Sequence, residues 1–294
     1  MKIGIIGVGF VGGTTAKVLE QNHELILYDK YKEPYTDPSG LSDVEAVFIC
    51  VPTPMKPSGE IDYSPIHNSL ETLKQITQNN SAKPLVIIRS TAVSGTTDNL
   101  ENNYPFNFAF NPEFLTEKNA LEDMKNTDRV VIGASRQEDH QIVENIYKPV
   151  FPNAKYINVN NKTAEMIKYA NNAMLTGQIA LANELYQICN AVGIDYNQIK
   201  DVLLLDNRIA RNISVPGHDK DLGFGGKCLP KDLNALIYLS RENMHRPYLF
   251  EEVWRLNERF RKNKDWLDIP GATSLNQDFS KTSRSFDGDN FQRK

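Results

Sequence analysis

The chain has 294 residues, with 33 Lys and Arg against 37 Asp and Glu, a formal net charge of −4 and 40% hydrophobic residues. That length suits about two domains, and mild acidity without a basic block excludes a dedicated nucleic-acid binder. No apolar run reaches the ~18 residues of a membrane span and no leader pattern precedes the first strand-like run, so the expectation is a cytoplasmic chain with no membrane partner.

Short apolar runs at 2–6, 24–28, 46–51, 85–88, 107–110, 129–132 and 155–159 predict strands. Most are continuous rather than alternating, as in parallel strands covered on both faces. Helical stretches between them, near 12–21, 64–79 and 136–147, complete a βα alternation. The expectation for 1–159 is therefore an α/β domain with a Rossmann-like doubly wound parallel sheet. After Val159 the pattern turns helical. One long helix is predicted over 161–192, with Gly193 as its stop. Further helices follow near 195–205, 230–243 and 247–266, with a Gly-rich loop over 215–227. Residues 160–268 thus read as an all-helical second domain, and 269–294, rich in Ser, Asp, Asn and Lys, as a flexible tail.

Gly7-Val8-Gly9-Phe10-Val11-Gly12 is a GxGxxG placed between a strand and a helix, the context that gives the motif meaning. Gly7 permits the tight turn, Gly9 lets a pyrophosphate approach the backbone, and Gly12 lets the helix pack against the strand. The helix N-terminus then stabilises phosphate charge. Asp29, at the end of the second strand, is placed to accept both ribose hydroxyls and to repel a 2′-phosphate. This favours NAD, with NADP kept open by nearby Lys30 and Lys32.

Cys228 lies in Gly223-Phe224-Gly225-Gly226-Lys227-Cys228-Leu229-Pro230-Lys231-Asp232, where a helix is expected to begin. A thiol at a helix N-terminus flanked by Lys227 and Lys231 has the surroundings of a nucleophile, though a small loop residue fits the local pattern equally. Cys50 and Cys189 sit in apolar segments and read as packed core. Three scattered cysteines, and five histidines without ligand spacing, predict neither a disulfide framework nor a metal site. Glu165, Lys168 and Asn172 fall on one helix face and could offer an ammonium and an amide to one substrate oxygen; a solvated face is the commoner outcome for such spacing. Asn111-Pro112-Glu113-Phe114-Leu115-Thr116-Glu117, Val51-Pro52-Thr53-Pro54 and Arg89-Ser90-Thr91 all follow strand ends, and are expected to rim one crevice.

Taken in order, GVGFVG at 7–12, VPTP at 51–54, ST at 90–91, NPEFLTE at 111–117, DRVVIG at 128–133, ExxKxxxN at 165–172, NE at 183–184, DNRI at 206–209 and FGGKCLPKD at 224–232 resemble the UDP-glucose/GDP-mannose dehydrogenase family. The resemblance runs from residue 1 to about 266. It implies NAD-dependent oxidation of a nucleotide sugar's primary alcohol to a carboxylate in two hydride transfers, through a cysteine thioester, by a homodimer. On matching positions, it implies Cys228 as nucleophile and Lys168 and Asn172 as oxyanion donors. Asp232 and Thr91 would handle water and protons, and Glu113 would serve as an acid–base group. Cofactor contacts would come from Gly7, Gly9, Phe10, Val11, Gly12, Asp29, Pro52, Thr53, Thr91 and Glu117. Substrate contacts would come from Glu113, Phe114, Leu115, Lys168, Asn172, Phe224 and Gly225, with Arg208 reaching the neighbouring subunit's sugar site. The pattern also departs from the family. The Asp29–Val51 stretch is short, Ala210 replaces an expected glycine, and nothing after 268 matches the family's C-terminal domain.

Overall fold

The structure, a computed structural model, describes residues 1–116, 118–209 and 212–274. These form two compact units: Met1–Thr53 with Asp62–Lys168, and Pro54–Ile61 with the described residues from Tyr169 onward.

The first unit is a seven-stranded sheet of β1 (Lys2–Ile6), β2 (Glu24–Tyr28), β3 (Ala46–Ile49), β4 (Leu85–Ile88), β5 (Asn107–Phe110), β6 (Arg129–Ala134) and β7 (Lys155–Val159), in the order β2-β1-β3-β4-β5-β6-β7. The continuous apolar runs have the expected cause. In β3, Ala46 and Phe48 enter one core cluster while Val47 and Ile49 enter the other, and all four are fully buried. Each such large side chain contributes roughly 1.5–3 kcal/mol relative to exposure. One pairing corrects the parallel expectation. β6 meets β5 antiparallel, through Ala109↔Ala134 and Phe110↔Gly133 alone, while β7 pairs parallel to β6.

Among the described residues, the helices packed with this sheet are α1 (Phe10–Leu19), α2 (Ser64–Ile76), α3 (Thr96–Asn103), α4 (Ala120–Lys125) and α5 (Gln137–Tyr147). Because the chain steps from β1 out to β2 and back to β3, the strand order reverses between β1 and β3. Ligands of open α/β sheets bind at the carboxyl ends of strands beside such a reversal.

The long helix α6 spans Asn161–Val192 and ends where Gly193 takes φ 74°. The second unit adds α7 (Tyr196–Leu203), α8 (Leu229–Glu242) and α9 (Tyr248–Phe260). The last helix is shorter than predicted: Arg261 leaves helical geometry and a separate 3-10 turn forms at Asp265–Leu267. Two small cores hold this unit, one around Phe224, Leu233, Ile237 and Val253, the other around Ala182, Cys189, Tyr196 and Ile213. Of the segment expected as a tail, 269–274 is ordered against Met55, whose N–H donates to Ala272 and whose carbonyl accepts from Ser274; the remainder lies outside the described residues. Among the described residues no helix is long and apolar enough to cross a membrane.

Candidate active site

Gly7 adopts φ 91° as the chain turns from β1 into α1, a conformation open to glycine but not to most residues. A Cβ on Gly12 would collide with the Gly7 carbonyl, so the helix can approach only without a side chain there. A Cβ on Gly9 would meet nothing within 4 Å, so open space lies over the turn. Gly9 is also the N-cap of α1, with no side-chain cap and no acidic residue in the first turn. The helix's first N–H groups and the open space over Gly9 fit a dinucleotide pyrophosphate.

Asp29 braces this turn. Its Oδ2 accepts from Val8 N at 2.8 Å and its Oδ1 from Tyr31 N at 3.0 Å. A carboxylate offers about four lone-pair sites, so acceptors remain for ribose hydroxyls. Lys32 donates to the Val8 carbonyl at 3.2 Å. Phe10 and Val11 begin α1 at the surface, the first exposed and the second half-buried.

β3, β4 and β5 are neighbours, so the segments that follow them line one edge of the sheet. Ser90 donates to the Val51 carbonyl at 2.7 Å, tying the loop after β4 to the loop after β3. Pro52 and Thr91 are half-buried on these segments and Thr53 is buried. Arg89, buried despite its charge, binds the side chain of Asn111 and the Tyr147 hydroxyl. Asn111 also donates to Val131 at 2.8 Å, fixing the start of the loop after β5.

That loop delivers Glu113. Its Oε1 accepts from Lys168 at 2.9 Å and its Oε2 from Leu115 N at 2.7 Å, with both ionic side chains buried. Burial pushes the Glu113 carboxyl up, but the Lys168 charge, the Leu115 N–H and Arg89 together hold it below the ordinary carboxylate value. Two cations lie over the Phe114 ring, Arg129 at 4.6 Å and Lys168 at 5.7 Å from its centre. A cleft of about 300 Å³ opens here, lined among others by Arg89, Glu113, Phe114, Leu115 and Arg129. Glu117 lies outside the described residues.

The helix face 165–172 is not solvated. Glu165, Lys168 and Asn172 are all buried. Glu165 accepts from Gly95 N, Thr97 N and the Thr97 hydroxyl at 2.6–2.7 Å, capping α3. Burial, helped by Asp98, outweighs those donors and raises its carboxyl to about 7.

In the second unit Asn172 donates to Asp232 Oδ2 at 2.6 Å. Lys231, expected beside the thiol, donates to Asp232 Oδ1 at 2.6 Å, and both are buried. Cys228 is the N-cap of α8 and half-buried, and its carbonyl accepts from Asp232 N at 2.8 Å. The nucleophile candidate and Asp232 therefore share the first turn of one helix. The Phe224 ring packs in a small core, 6.5 Å from the centre of Trp254. Gly225 is half-buried on the loop before Cys228. Arg208 is exposed and bonded to Asp206 at 2.9 Å. Cys189 is core as expected; Cys50 is half-buried, and burial pushes its thiol up to about 12. The sequence marks Arg89 and Lys231 but not their partners, which come from sequence-distant loops or depend on side-chain direction.

The fold, its glycine turn and the acid after β2 define a dinucleotide-binding protein of the Rossmann class. The chain belongs to the UDP-glucose/GDP-mannose dehydrogenase family: residues 33–151 match its NAD-binding domain and 162–259 its central domain. The cofactor indicated is NAD. A UDP-glucose 6-dehydrogenase of Rickettsia bellii is 37% identical over 224 residues, 74% of this chain and 50% of the relative. The Bacillus subtilis protein YtcA is 32% identical over 300 residues, 88% of this chain and 68% of the relative. A UDP-glucose dehydrogenase structure from Pyrobaculum islandicum superposes with TM-score 0.78 at 28% identity, covering 88% of this chain and 68% of that one. The chain spans about half the length of the Rickettsia relatives it matches.

Proposed function

We propose that this chain provides the NAD-binding and central parts, 1–159 and 160–268, of a cytoplasmic, homodimeric nucleotide-sugar 6-dehydrogenase that converts UDP-glucose to UDP-glucuronate. The observation that carries the reading is Cys228 at the head of α8, one turn from an Asp232 that is held by buried Asn172. A binding module has no need of a nucleophile with such a neighbour. Its Rickettsia relatives are UDP-glucose 6-dehydrogenases, which supports the substrate.

NAD, when bound, would accept the hydride of each oxidation, a fresh molecule replacing NADH between the two. The protein's own side chains do the rest. Cys228 adds as thiolate to the aldehyde carbon, and its adduct, once oxidised, is a thioester. Lys168 and Asn172, one turn apart on α6, donate to the oxygen that becomes anionic. Asp232 orients the water that releases the acid, and Glu113 exchanges a proton with Lys168 through the bond already formed.

GDP-mannose is the second reading, because Leu229 after the cysteine fits that branch of the family at least as well. A non-catalytic NAD-binding remnant is the third. Absorbance at 340 nm with NAD and each sugar nucleotide separates them. The proposal expects two NADH per uronate formed from UDP-glucose. A ratio of one with free aldehyde overturns the thioester route, and no NADH from either sugar leaves the binding module.

A further inference from the structure

The loop that precedes Cys228 is held by side chains. Gly223 N donates to Asn183 at 3.0 Å, Phe224 N to Asn257 at 2.7 Å and Gly226 N to both oxygens of Asp265 at 3.1 Å. The Phe224 carbonyl accepts from Asn257 at 3.0 Å. Behind the loop lies Arg261, whose side chain is only 1% exposed. Its guanidinium donates to Asp219 at 2.6 Å and to Asp265 at 3.2 Å. Any side chain at Gly225 would run into Arg261 and Asp265, so this backbone rests directly on the ion pair.

A guanidinium so deeply buried needs a reason, since an apolar side chain of similar volume would pack as well or better. What an apolar group cannot do is orient a carboxylate. Arg261 fixes Asp265, and Asp265 fixes the Gly226 N–H, two residues before the thiol.

We infer that Arg261 and Asp265 are positioning residues for Cys228, clamping the glycine backbone so that the sulfur stays at the head of α8. The inference rests on the reading of Cys228 as the nucleophile. The groups that touch substrate remain Cys228 and its neighbours; Arg261 and Asp265 act through the loop.

The test uses the full chain and two variants, Arg261→Met and Asp265→Ala, with Arg261→Lys as the conservative control. Two readouts are taken: the iodoacetamide labelling rate of Cys228, followed by mass spectrometry, and steady-state turnover of UDP-glucose. Loss of the helix-terminus position should slow labelling by about threefold or more. Misplacing the sulfur by an ångström should lower kcat by roughly ten- to a hundredfold, with KM for NAD unchanged. Arg261→Lys should recover part of both. A folded Arg261→Met chain that labels Cys228 at the native rate overturns the clamp. Should that variant not fold, Asp265→Ala, whose side chain is partly exposed, is read in the same way. If the native chain oxidises no sugar nucleotide yet labelling slows in the variants, the clamp stands and the proposed reaction falls.

Discussion

Lys168 donates to Glu113 at 2.9 Å, and both side chains are more than nine-tenths buried. Such a pair is sensitive to the loss of one member, because the survivor keeps its desolvation cost without its partner. Lys168→Met should destabilise the chain by about 3 kcal/mol, and the double variant Glu113→Gln with Lys168→Met should recover most of that. Urea unfolding at pH 7 measures both. The pH sign follows from a folded carboxyl held below its ordinary 4.5. The pair's stabilisation is present above that value and is lost as pH falls through the lower folded one. Equal stability of native and single-variant chains at pH 7 would contradict the pairing.

Glu165 carries the opposite sign. Its folded value near 7 lies above the ordinary 4.5. Its contribution is fully present below 4.5 and declines as pH rises toward 7, by about 3 kcal/mol at most. Glu165→Gln should remove that slope between pH 5 and 7, read as a flatter dependence of the urea midpoint. A slope unchanged by the substitution would show that Glu165 titrates at an ordinary value.

These two carboxylates mark the limits of sequence reading in this chain. The sheet and α6 were legible because their signals are local: unbroken apolar runs, and helical periodicity closed by Gly193. Helices α3 and α4 were not. α3 is eight largely polar residues, TTDNLENN, and its N-terminus is capped by Glu165 from far along the chain. The antiparallel turn of β6 left no trace in its composition, since it is buried like its parallel neighbours. At the site, the motifs picked out Lys168, Asn172 and Asp232, but not what each would bond. Spacing puts residues on a face; it does not say which loop covers the face.

The glycine turn gives a prediction in which folding and binding part company. Gly12→Ala forces a Cβ onto the Gly7 carbonyl, so it should cost stability and abolish NAD binding. Gly9→Ala meets open space, so the thermal midpoint should stay within a few degrees while NAD binding weakens at least tenfold. Calorimetric titration of NAD beside a melting curve separates the two effects. Native NAD affinity in Gly9→Ala would place the pyrophosphate elsewhere.

The three cysteines should react unequally. Burial raises the Cys50 thiol to about 12, leaving almost no thiolate at pH 7.5, and Cys189 is buried. Iodoacetamide on the native chain should therefore label Cys228 first. Peptide mapping reads the order directly. Faster labelling of Cys50 or Cys189 would remove the main support for a nucleophile at 228, as would a fully active Cys228→Ala chain.

The last prediction concerns the outer face of α6. Met174, Leu181, Leu185, Ile188 and Val192 are exposed at spacings of seven, four, three and four, a single apolar stripe along the helix. A stripe of that kind on a lone chain marks an interaction surface, and a second copy of the same helix is self-complementary to it. Leu181→Glu with Ile188→Glu puts charges into the stripe at positions already exposed, so folding should be unaffected while dimers dissociate. Sedimentation equilibrium should then give a species near the chain mass of 33.3 kDa, against about twice that for the native protein. Arg208 adds a functional arm. Its side chain is solvent-exposed and held to Asp206. Mixing inactive Arg208→Ala and Cys228→Ala chains should restore part of the activity if the arginine serves the partner's sugar site, because a hybrid dimer regains one intact site. No recovery after verified subunit exchange would assign Arg208 to its own chain, and a native protein that sediments as a monomer would remove the dimer altogether.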